Sequence, residues 1–359
     1  MKRLLLSLIF GLSFLSGSAQ LQIDNTQTPA QLVLNTFLGE NIAVSNVKFN
    51  GSTTAAQTIG DQVGKYSNGA TALGSEQGLL LTTGKVSVAS GPNNSGSMSS
   101  VAATPFAGDA DLALISGTTV RNVCNLEFDF IPNGDTVLFE YVFASEEYPE
   151  FANSSFNDTF ALLLSGPGIS GPFSNNARNI AIIPGNSQPV SINTINNGNS
   201  NFGPCENCSF YVSNGTGTTP LANASMQYDG RTTILTASEA VVAGSTYHLK
   251  FVIGNVSDNL YDSAMFLLQG SLRSATLHSD SFATELVNLF PNPARDFIQF
   301  SSKINLNRVQ FYDLQGRMLK QIAVQNETRI DISELQSGTY IVELVTSEGQ
   351  INRQKLVVQ

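Results

Sequence analysis

Acidic residues are concentrated in one segment of the sequence, and they are the side chains best suited to chemistry. No Lys or Arg lies between Arg121 and Arg178, whereas that segment contains eight Asp and Glu residues. One loop holds four of them: Glu146, Glu147, Glu150 and Asp158. A second short segment carries Asp258 and Asp262. Carboxylates without basic neighbours repel one another, and a divalent cation relieves that repulsion.

These acidic segments predict a site for a hard cation such as calcium. Calcium binds roughly six to eight oxygen atoms from carboxylates, side-chain amides and backbone carbonyls, and both segments supply all three. We predict that the two loops meet and share one calcium ion. The predicted ligands are Glu146, Glu147, Asp158 and Asp262. The alternative is a solvated acidic rim whose carboxylates accept hydrogen bonds from loop amides.

Paired carboxylates can also hydrolyse glycosidic bonds when they lie about 5 to 9 Å apart. A secreted glycan-directed hydrolase that uses carboxylates of the 146–158 loop is therefore the catalytic alternative. The sequence lacks the other common catalytic patterns. Segment 185–189 lacks the last glycine of a nucleophile elbow, and no phosphate-binding or dinucleotide-binding glycine motif occurs. Two His and three Cys are a poor supply for zinc sites or His-based catalysis, so we expect a protein that is not an enzyme.

Aromatic residues in the loops predict a ligand surface. They are Tyr148, Phe151, Phe156 and Tyr261, with Tyr228 as a further candidate. Aromatic rings pack against apolar sugar faces or against another protein, and the sequence leaves both kinds of partner open. The alternative for each ring is that it folds back onto the core of the domain.

The net charge of −10 is unevenly distributed. Residues 20–280 contain 20 acidic and 8 basic residues, whereas residues 281–359 contain eight of each. This acidity excludes nucleic acid as a partner, because the phosphates would be repelled. The 22 Phe residues and a hydrophobic content of 42% are sufficient for packed cores and exclude intrinsic disorder.

The N-terminus has the parts of a secretory signal peptide. Lys2 and Arg3 precede an apolar run over 4–15, and small residues lead up to Ala19. We predict that residues 1–19 are removed by cleavage after Ala19. An apolar run of about 12 residues cannot span roughly 30 Å of hydrocarbon, and no later stretch reaches the length of a transmembrane segment.

Three segments alternate between apolar and polar residues with the period of a β-strand. Their apolar positions are Leu126, Phe128 and Phe130; Val137, Phe139, Tyr141 and Phe143; and Tyr247, Leu249, Phe251 and Ile253. Loops rich in Gly, Pro, Asn and Ser separate them, which predicts a large antiparallel, jelly-roll-like β-sandwich. One short helix is predicted over 28–39, with Thr28 as its cap and Gly39 at its end.

Two segments of this region share the pattern D-x4-L-L-x-G, which begins at Asp158 and at Asp262. Each follows an alternating strand and a loop that contains acids. This arrangement predicts two hairpins, with each Asp at the point where the loop enters the second strand. Chance similarity between two half-buried strands is the alternative.

The chain is predicted to contain two domains. Residues 20–273 form the large sandwich, and the polar, aperiodic segment 274–284 is a linker. Residues 285–359 have a strand pattern of their own, which predicts a small immunoglobulin-like sandwich. Cys205 and Cys208 are separated by two residues in a long loop, and this spacing favours a local disulfide; Cys124 is left over.

The last domain resembles the type A sorting domain of the type IX secretion system. The resemblance depends on L-F-P-N-P-A at 289–294, Y-D-L-Q-G-R at 312–317 and S-G-T-Y at 337–340. The residues identified as the sorting motif are Pro291, Asn292, Pro293, Asp313, Gly316, Arg317, Gly338 and Tyr340. The resemblance implies a removable address that contacts the secretion machinery and carries no chemistry.

Most of residues 28–273 resembles the family called choice-of-anchor L. The most distinctive matches are F-A-S-E-E-Y at 143–148, F-N-D at 156–158 and Y-D-G at 228–230. The resemblance implies an extracellular domain that is combined with a C-terminal sorting signal, and no established molecular function comes with it.

We therefore predict an exported all-β protein with a non-catalytic binding or adhesion function, stabilised by calcium. Its predicted location is the cell surface or the extracellular medium, after removal of the signal peptide and the sorting domain. Its predicted partners are the type IX secretion machinery, through residues 285–359, and an extracellular glycan or protein.

Overall fold

The chain divides into two compact units, residues 1–276 and residues 277–359. The computed structural model describes residues 20–52, 61–103, 106, 108–217, 225–275, 287–302, 306–313, 318–324, 329–346 and 351–359. The predicted signal peptide, residues 1–19, lies outside the described residues, as does most of the predicted linker. Within the described ranges, every helix is too short or too polar to cross a membrane.

Two antiparallel sheets pack face to face in the first unit, which confirms the predicted all-β sandwich. The larger sheet has nine strands: β1 (Gln22–Asp24), β3 (Val63–Ser67), β4 (Gly78–Thr82), β6 (Thr136–Ser145), β9 (Tyr211–Ser213), β10 (Gly230–Thr232), β11 (Leu235–Ala240), β13 (Ser263–Leu268) and β14 (Arg273–Ala275). The smaller sheet has five: β2 (Ile42–Phe49), β5 (Val120–Pro132), β7 (Thr159–Ser165), β8 (Arg178–Asn179) and β12 (Tyr247–Val256).

The alternation predicted for β5, β6 and β12 is confirmed. All of their predicted apolar positions are buried in one core between the two sheets. Aromatic rings join the sheets across this core. The ring centroids of Phe139 and Phe251 are 5.3 Å apart, and those of Phe143 and Phe160 are 4.8 Å apart.

Three short α-helices lie outside the sheets in the described residues: α1 (Pro29–Leu32), α2 (Ala70–Leu73) and α3 (Ala110–Ser116). Thr28 caps α1 as predicted, because its hydroxyl accepts a hydrogen bond from the backbone N–H of Gln31 at 3.2 Å. The second half of the predicted helix is a π-helix, Val33–Phe37, which ends at Leu38.

The two segments with the shared D-x4-L-L-x-G pattern do not form the predicted hairpins. β6 and β7 belong to different sheets, as do β12 and β13, so each loop crosses from one sheet to the other. β6 pairs with β13 instead, and β12 pairs with β7. No edge of β6 is free for β7, because β13 and β14 occupy one edge and β10 and β11 occupy the other. Asp158 and Asp262 nevertheless directly precede the second strand of their segments, as predicted.

β14 extends beyond the predicted boundary at residue 273, so Ser274 belongs to the sandwich and not to the linker. Its hydroxyl accepts a hydrogen bond from the N–H of Gly134 at 2.8 Å.

Cys205 and Cys208 form the predicted local disulfide, and Cys124 is a free thiol buried in the core.

The second unit also contains two antiparallel sheets, in agreement with the predicted small sandwich. One sheet consists of β15 (Val287–Phe290), β16 (Phe297–Ser302) and β19 (Arg329–Asp331). The other consists of β17 (Leu306–Tyr312), β18 (Met318–Ala323), β20 (Gly338–Thr346) and β21 (Ile351–Val358). Ile298, Phe311 and Val342 are among the fully buried residues of its core.

The aromatic contacts between the sheets predict a large effect of truncating Phe251, which touches the rings of Phe37, Phe128 and Phe139. We expect Phe251→Ala to lower the free energy of unfolding by about 3 to 5 kcal/mol, because it leaves a cavity in the core. Phe202 is 51% exposed, so Phe202→Ala is the matched control and is expected to cost less than about 0.5 kcal/mol. Urea denaturation measures both, and equal costs would contradict this description of the core.

Candidate functional site

The loops that follow β6 and β12 meet at one end of the first unit, as predicted. The backbone N–H of Glu146 donates to the carbonyl oxygen of Asp262 at 3.1 Å. The hydroxyl of Ser263, the first residue of β13, donates to Asp158 Oδ2 at 2.7 Å. Five carboxylates at this end are fully buried: Glu146, Glu147, Asp158, Asp229 and Asp262. We call these five residues the acidic end.

The strand register places three of these carboxylates in a row. Ser145, the last residue of β6, pairs with the first residue of β13 and with the first residue of β10. The next residue, Glu146, therefore lies opposite Asp262 on one side and Asp229 on the other. Residues opposite each other in antiparallel strands lie on the same face, with Cβ atoms about 5 Å apart.

Glu146 and Glu147 have different surroundings at the end of β6. Side chains alternate between the two faces along a strand. Phe143 belongs to the core between the sheets, and Ala144 belongs to a separate apolar cluster on the outer face. The same alternation places Ser145 on the inner face and Glu146 on the outer face. Glu147 follows in the turn after β6, and its backbone N–H donates to Ser145 Oγ at 2.9 Å.

Two of the predicted calcium ligands accept hydrogen bonds from the protein. Asp158 accepts from the backbone N–H of Val256 at 2.9 Å and from the hydroxyl of Ser263. Asp262 accepts from the backbone N–H and the hydroxyl of Ser100, at 3.1 and 2.6 Å. Protein donors therefore compensate part of the cost of burying these two carboxylates.

The other two predicted ligands have no such partners. None of the four carboxylate oxygens of Glu146 and Glu147 accepts a hydrogen bond, although both side chains are fully buried. Burial of an unpaired charge is costly in an interior of low dielectric constant, so the carboxylate takes up a proton or pairs with a cation. Oxygen atoms of this kind are free to coordinate a metal ion.

Burial is the main cause that perturbs both glutamates. Together with the negative charge of Asp229, it raises the pKa of Glu146 to about 9. The polar groups of Gln227 and of the Met98 backbone lie close enough to the carboxylate to oppose this rise in pKa. Neither of them has the geometry of a hydrogen bond with it. Burial likewise raises the pKa of Glu147 to about 10, and neighbouring acids add to the effect. Both glutamates therefore hold a proton at neutral pH unless a cation is bound.

Asp229 is a member of the acidic end that the sequence analysis did not single out. Burial raises its pKa to about 7. Its Oδ1 accepts a hydrogen bond from Asn93 at 2.5 Å, whereas its Oδ2 has no partner. The available signal was the Y-D-G motif at 228–230, but only the pairing of β10 with β6 places this motif beside Glu146. Loop 93–100, which carries Asn93 and Ser100, gave no signal beyond a composition typical of loops.

The acidic end is not a complete coordination site in this arrangement. Within the described ranges, no three Asp, Glu, His or Cys side chains form a group with metal-binding geometry. The four predicted ligands thus lie at the same end of the sandwich, but they are not arranged around one point. A single calcium ion shared by all four stays a prediction.

Two of the predicted surface aromatics are core residues. Tyr148 is fully buried, donates its hydroxyl to the carbonyl of Ile195 at 2.6 Å and packs against the ring of Tyr211. Tyr228 is also fully buried and packs edge-on against Phe266. Neither ring is available to a ligand, because each has folded back onto an apolar cluster.

The other three predicted aromatics form a half-buried cluster. The ring of Phe151 lies 5.2 Å from that of Phe156 and 4.9 Å from that of Tyr261. All three come from the loops that meet at the acidic end. Burial raises the pKa of the Tyr261 hydroxyl, and the negative charges of Glu147 and other nearby acids add to this effect. The cluster is therefore the part of the predicted ligand surface that stays accessible.

A second polar cluster lies on β5 and β12 of the smaller sheet, beside a cavity of about 100 Å³. His248 Nδ1 is 2.7 Å from Asp129 Oδ1, and His248 Nε2 is 3.1 Å from Glu127 Oε2. Both ring nitrogens donate to these carboxylates only when the imidazole is protonated. The hydrogen bond with Glu127 is the main cause that raises the pKa of His248, and burial opposes it.

This cluster predicts a pH-dependent contribution to stability. Because the pKa of His248 is raised on folding, the contribution is complete below the unfolded pKa of about 6.5 and is lost as the pH rises through the folded pKa. The charged groups around the ring are Glu127, Asp129, Lys48 and Lys250. We expect the difference in Tm between the wild type and His248→Gln to shrink from pH 6 to pH 9. A constant difference would show that protonation of His248 contributes nothing.

In the second unit, two residues of the sorting motif, Asn292 and Tyr340, form hydrogen bonds within the fold. Asn292 Oδ1 accepts a hydrogen bond from the N–H of Val357 at 2.9 Å, and Asn292 Nδ2 donates to the carbonyl of Lys355 at 2.7 Å. Asn292 therefore binds the loop between β15 and β16 to the last strand. Tyr340 donates its hydroxyl to the carbonyl of Gln336 at 2.6 Å. Pro291, Pro293, Asp313 and Gly338 are also described, whereas Gly316 and Arg317 lie outside the described residues.

The two hydrogen bonds of Asn292 predict a local effect of its removal. We expect Asn292→Ala to speed amide hydrogen exchange at Val357 and to destabilise the second unit by about 1 kcal/mol, since exposed hydrogen bonds contribute modestly. Asn307→Ala, on an exposed position of β17, is the matched control. An unchanged rate of amide hydrogen exchange at Val357 in the Asn292 variant would show that Asn292 does not hold the loop between β15 and β16 to β21.

Comparison with known protein families identifies the class of protein to which this chain belongs. Residues 21–273 match the choice-of-anchor L domain, and residues 288–359 match a secretion system C-terminal sorting domain. Together with the fold, these matches define an exported β-sandwich protein that the type IX system delivers to the cell surface or the extracellular space. The chain belongs to the choice-of-anchor L domain family. None of the curated proteins matches it.

Several solved structures are distantly similar to the chain. The adhesin domain of Epf from Streptococcus pyogenes has 9% identity over 66% of this chain and 76% of its own, with a TM-score of 0.17. The BSP domain of a biofilm-associated protein has 8% identity over 73% of this chain and 50% of its own, with a TM-score of 0.17. A β-1,2-glucanase from Parabacteroides distasonis has 14% identity over 67% of this chain and 32% of its own, with a TM-score of 0.15. TM-scores this low support no argument about function.

Proposed function

We propose that the first unit is a non-catalytic binding or adhesion module of the cell surface, and that calcium stabilises its acidic end. One observation carries this proposal: the carboxylate oxygens of Glu146 and Glu147 are buried without hydrogen-bond partners. A bound cation compensates the charge of both groups and provides the missing contacts. Delivery outside the cell by the sorting domain agrees with this role, because calcium is plentiful there.

The chemistry of the acidic end favours calcium over other cations. All candidate ligands are oxygen atoms, and hard divalent cations prefer oxygen. The ion pairs in the described part of the first unit involve other acids, such as Glu127 and Asp129, so no Lys or Arg neutralises the acidic end. Extracellular calcium sites function with dissociation constants on the order of 10⁻⁴ to 10⁻³ M, so even a weak site is occupied.

Burial of the carboxylates supports a non-catalytic role. The carboxylates of a glycoside hydrolase contact the sugar directly. The five carboxylates of the acidic end are fully buried, and loop 93–100 contacts two of them, through Asn93 and Ser100. The raised pKa values of Glu146 and Glu147 would suit a general acid, so glycan hydrolysis is the alternative that experiment must test.

The half-buried aromatic cluster is the proposed contact surface. Phe151, Phe156 and Tyr261 lie on the two loops that a cation would hold together. Aromatic rings of this kind contact apolar sugar faces or the side chains of a protein partner. A cation at the acidic end would therefore support ligand binding by fixing the loops that carry these rings.

The proposal predicts that calcium stabilises the protein. At a calcium concentration of a hundred times Kd, binding adds about 2.7 kcal/mol to the free energy of unfolding. For a domain of this size, that corresponds to a rise in Tm of about 5 to 10 °C. Thermal unfolding followed by circular dichroism, with calcium and with a chelator, measures the shift, and potassium at equal ionic strength is the control. An unchanged midpoint would remove calcium from the proposal.

A glycan array with the full-length protein, probed with and without calcium, tests the binding function. Calcium-dependent retention of intact glycans supports a glycan-binding module. Release of shorter glycans would instead establish the hydrolase, whereas no signal on any glycan would point to a protein partner.

A further inference from the structure

Glu146 and Glu147 are adjacent in the sequence, but their carboxylates have different surroundings. The acids that act on them differ: Asp229 and Asp262 act on the pKa of Glu146, whereas Asp158, Asp258 and Glu150 act on that of Glu147. We call Glu146 with the first set the outer group and Glu147 with the second set the inner group. The two groups are neighbours, since Asp262 acts on the pKa of Asp158 and Glu150 acts on that of Asp229. Within the described residues, no three acidic side chains converge on one point.

The end of strand β6 lies between these two groups. On the inner face, the hydroxyls of Ser145 and Ser263 are 2.8 Å apart. The Ser263 hydroxyl also donates a hydrogen bond to Asp158, which directly precedes β7. On the outer face, Glu146 lies in the row formed with the residues that precede β10 and β13. The hydroxyls of Ser145 and Ser263 thus mark the inner side of this strand end, and Glu146 lies on its outer side.

The outer group contains three carboxylate oxygens without partners, two on Glu146 and Oδ2 of Asp229. Loop 93–100 covers them. Asn93 holds the other oxygen of Asp229, and Ser100 holds the carboxylate of Asp262. The backbone of the loop also comes close, because a Cβ atom at Gly96 would lie 3.4 Å from Asp229 Oδ2. Two carboxylates and a covering loop therefore supply oxygen ligands from several directions.

The inner group has a comparable set of unpartnered oxygens. Both carboxylate oxygens of Glu147 lack a partner, and so does the buried Oδ1 of Asn255 near the end of β12. The amide nitrogen of Asn255 donates to the carbonyl of Leu260, in the loop that carries Asp258. The next residue after Asn255 donates its N–H to Asp158. This side therefore also combines a buried free carboxylate with an amide oxygen.

We propose that the acidic end holds two divalent cations at separate sites, one bound by Glu146 and Asp229 on the outer face and one bound by Glu147 on the inner face. This inference rests on the proposed function, because it divides the calcium site proposed there into two. Calcium contacts its ligands at about 2.3 to 2.6 Å, and no three acidic side chains of the described residues converge on one point, so one ion cannot bind both glutamates together with their acidic neighbours.

The number of ions bound per chain tests the inference. Equilibrium dialysis of the full-length protein against calcium, after removal of metal with a chelator, is expected to give two ions per chain. One ion per chain would overturn the two-site inference and leave the proposed calcium stabilisation intact. No bound ion would overturn both, and would show that protons neutralise the two glutamates.

Conservative variants identify the two sites separately. Glu146→Gln and Glu147→Gln are each expected to bind one ion, and the double variant none. Glu140→Gln makes the same chemical change on β6, at a half-buried position outside the acidic end, and is expected to keep two ions. Loss of both ions in either single variant, with the fold intact by circular dichroism, would contradict separate sites. If Glu146→Gln does not fold, Asp229→Asn is expected to remove the same outer ion.

Discussion

The register of strand β6 is the constraint on which the acidic end depends. β6 is paired along both edges, so the residue that follows it, Glu146, is held between the starts of β10 and β13. The side chains of β6 also alternate between two buried faces, so the strand ends among apolar side chains on both sides. Glu146 and Glu147 follow directly, and both are fully buried. The same pairing that completes the larger sheet thus forces two carboxylates into the interior, where solvent cannot stabilise their charge.

The sandwich tolerates this burial because the rest of the core is well packed. The rings of Phe143 and Phe160 join the two sheets near the acidic end, and those of Phe139 and Phe251 join them farther along β6. Local conflicts of this kind, in an otherwise consistent structure, are expected at functional sites. The acidic end is the place where apolar packing gives way to buried polar groups, and the proposed cation would resolve the conflict by compensating their charge.

Charge and function are divided between the two units. The excess of acidic residues belongs to the first unit, where burial of carboxylates defines the candidate site. The second unit has equal numbers of acidic and basic residues, and Asn292 of its sorting motif forms hydrogen bonds within the unit. The address for export and the proposed binding module therefore depend on different interactions, in agreement with a sorting domain that can be combined with other domains.

The sequence alone determined the all-β class, the two units, the cap at Thr28 and the buried faces of β5, β6 and β12, because capping and strand alternation are local properties of the backbone. Only the tertiary structure decided which strands pair, because the paired residues are far apart in the sequence. Ser145 and Ser263, for example, are separated by 118 positions. That pairing replaced the predicted hairpins, brought Asp229 beside Glu146 and buried Tyr148. The sequence identified Glu146 and Glu147 as members of an acidic loop, but only long-range packing decided that both side chains are closed to solvent.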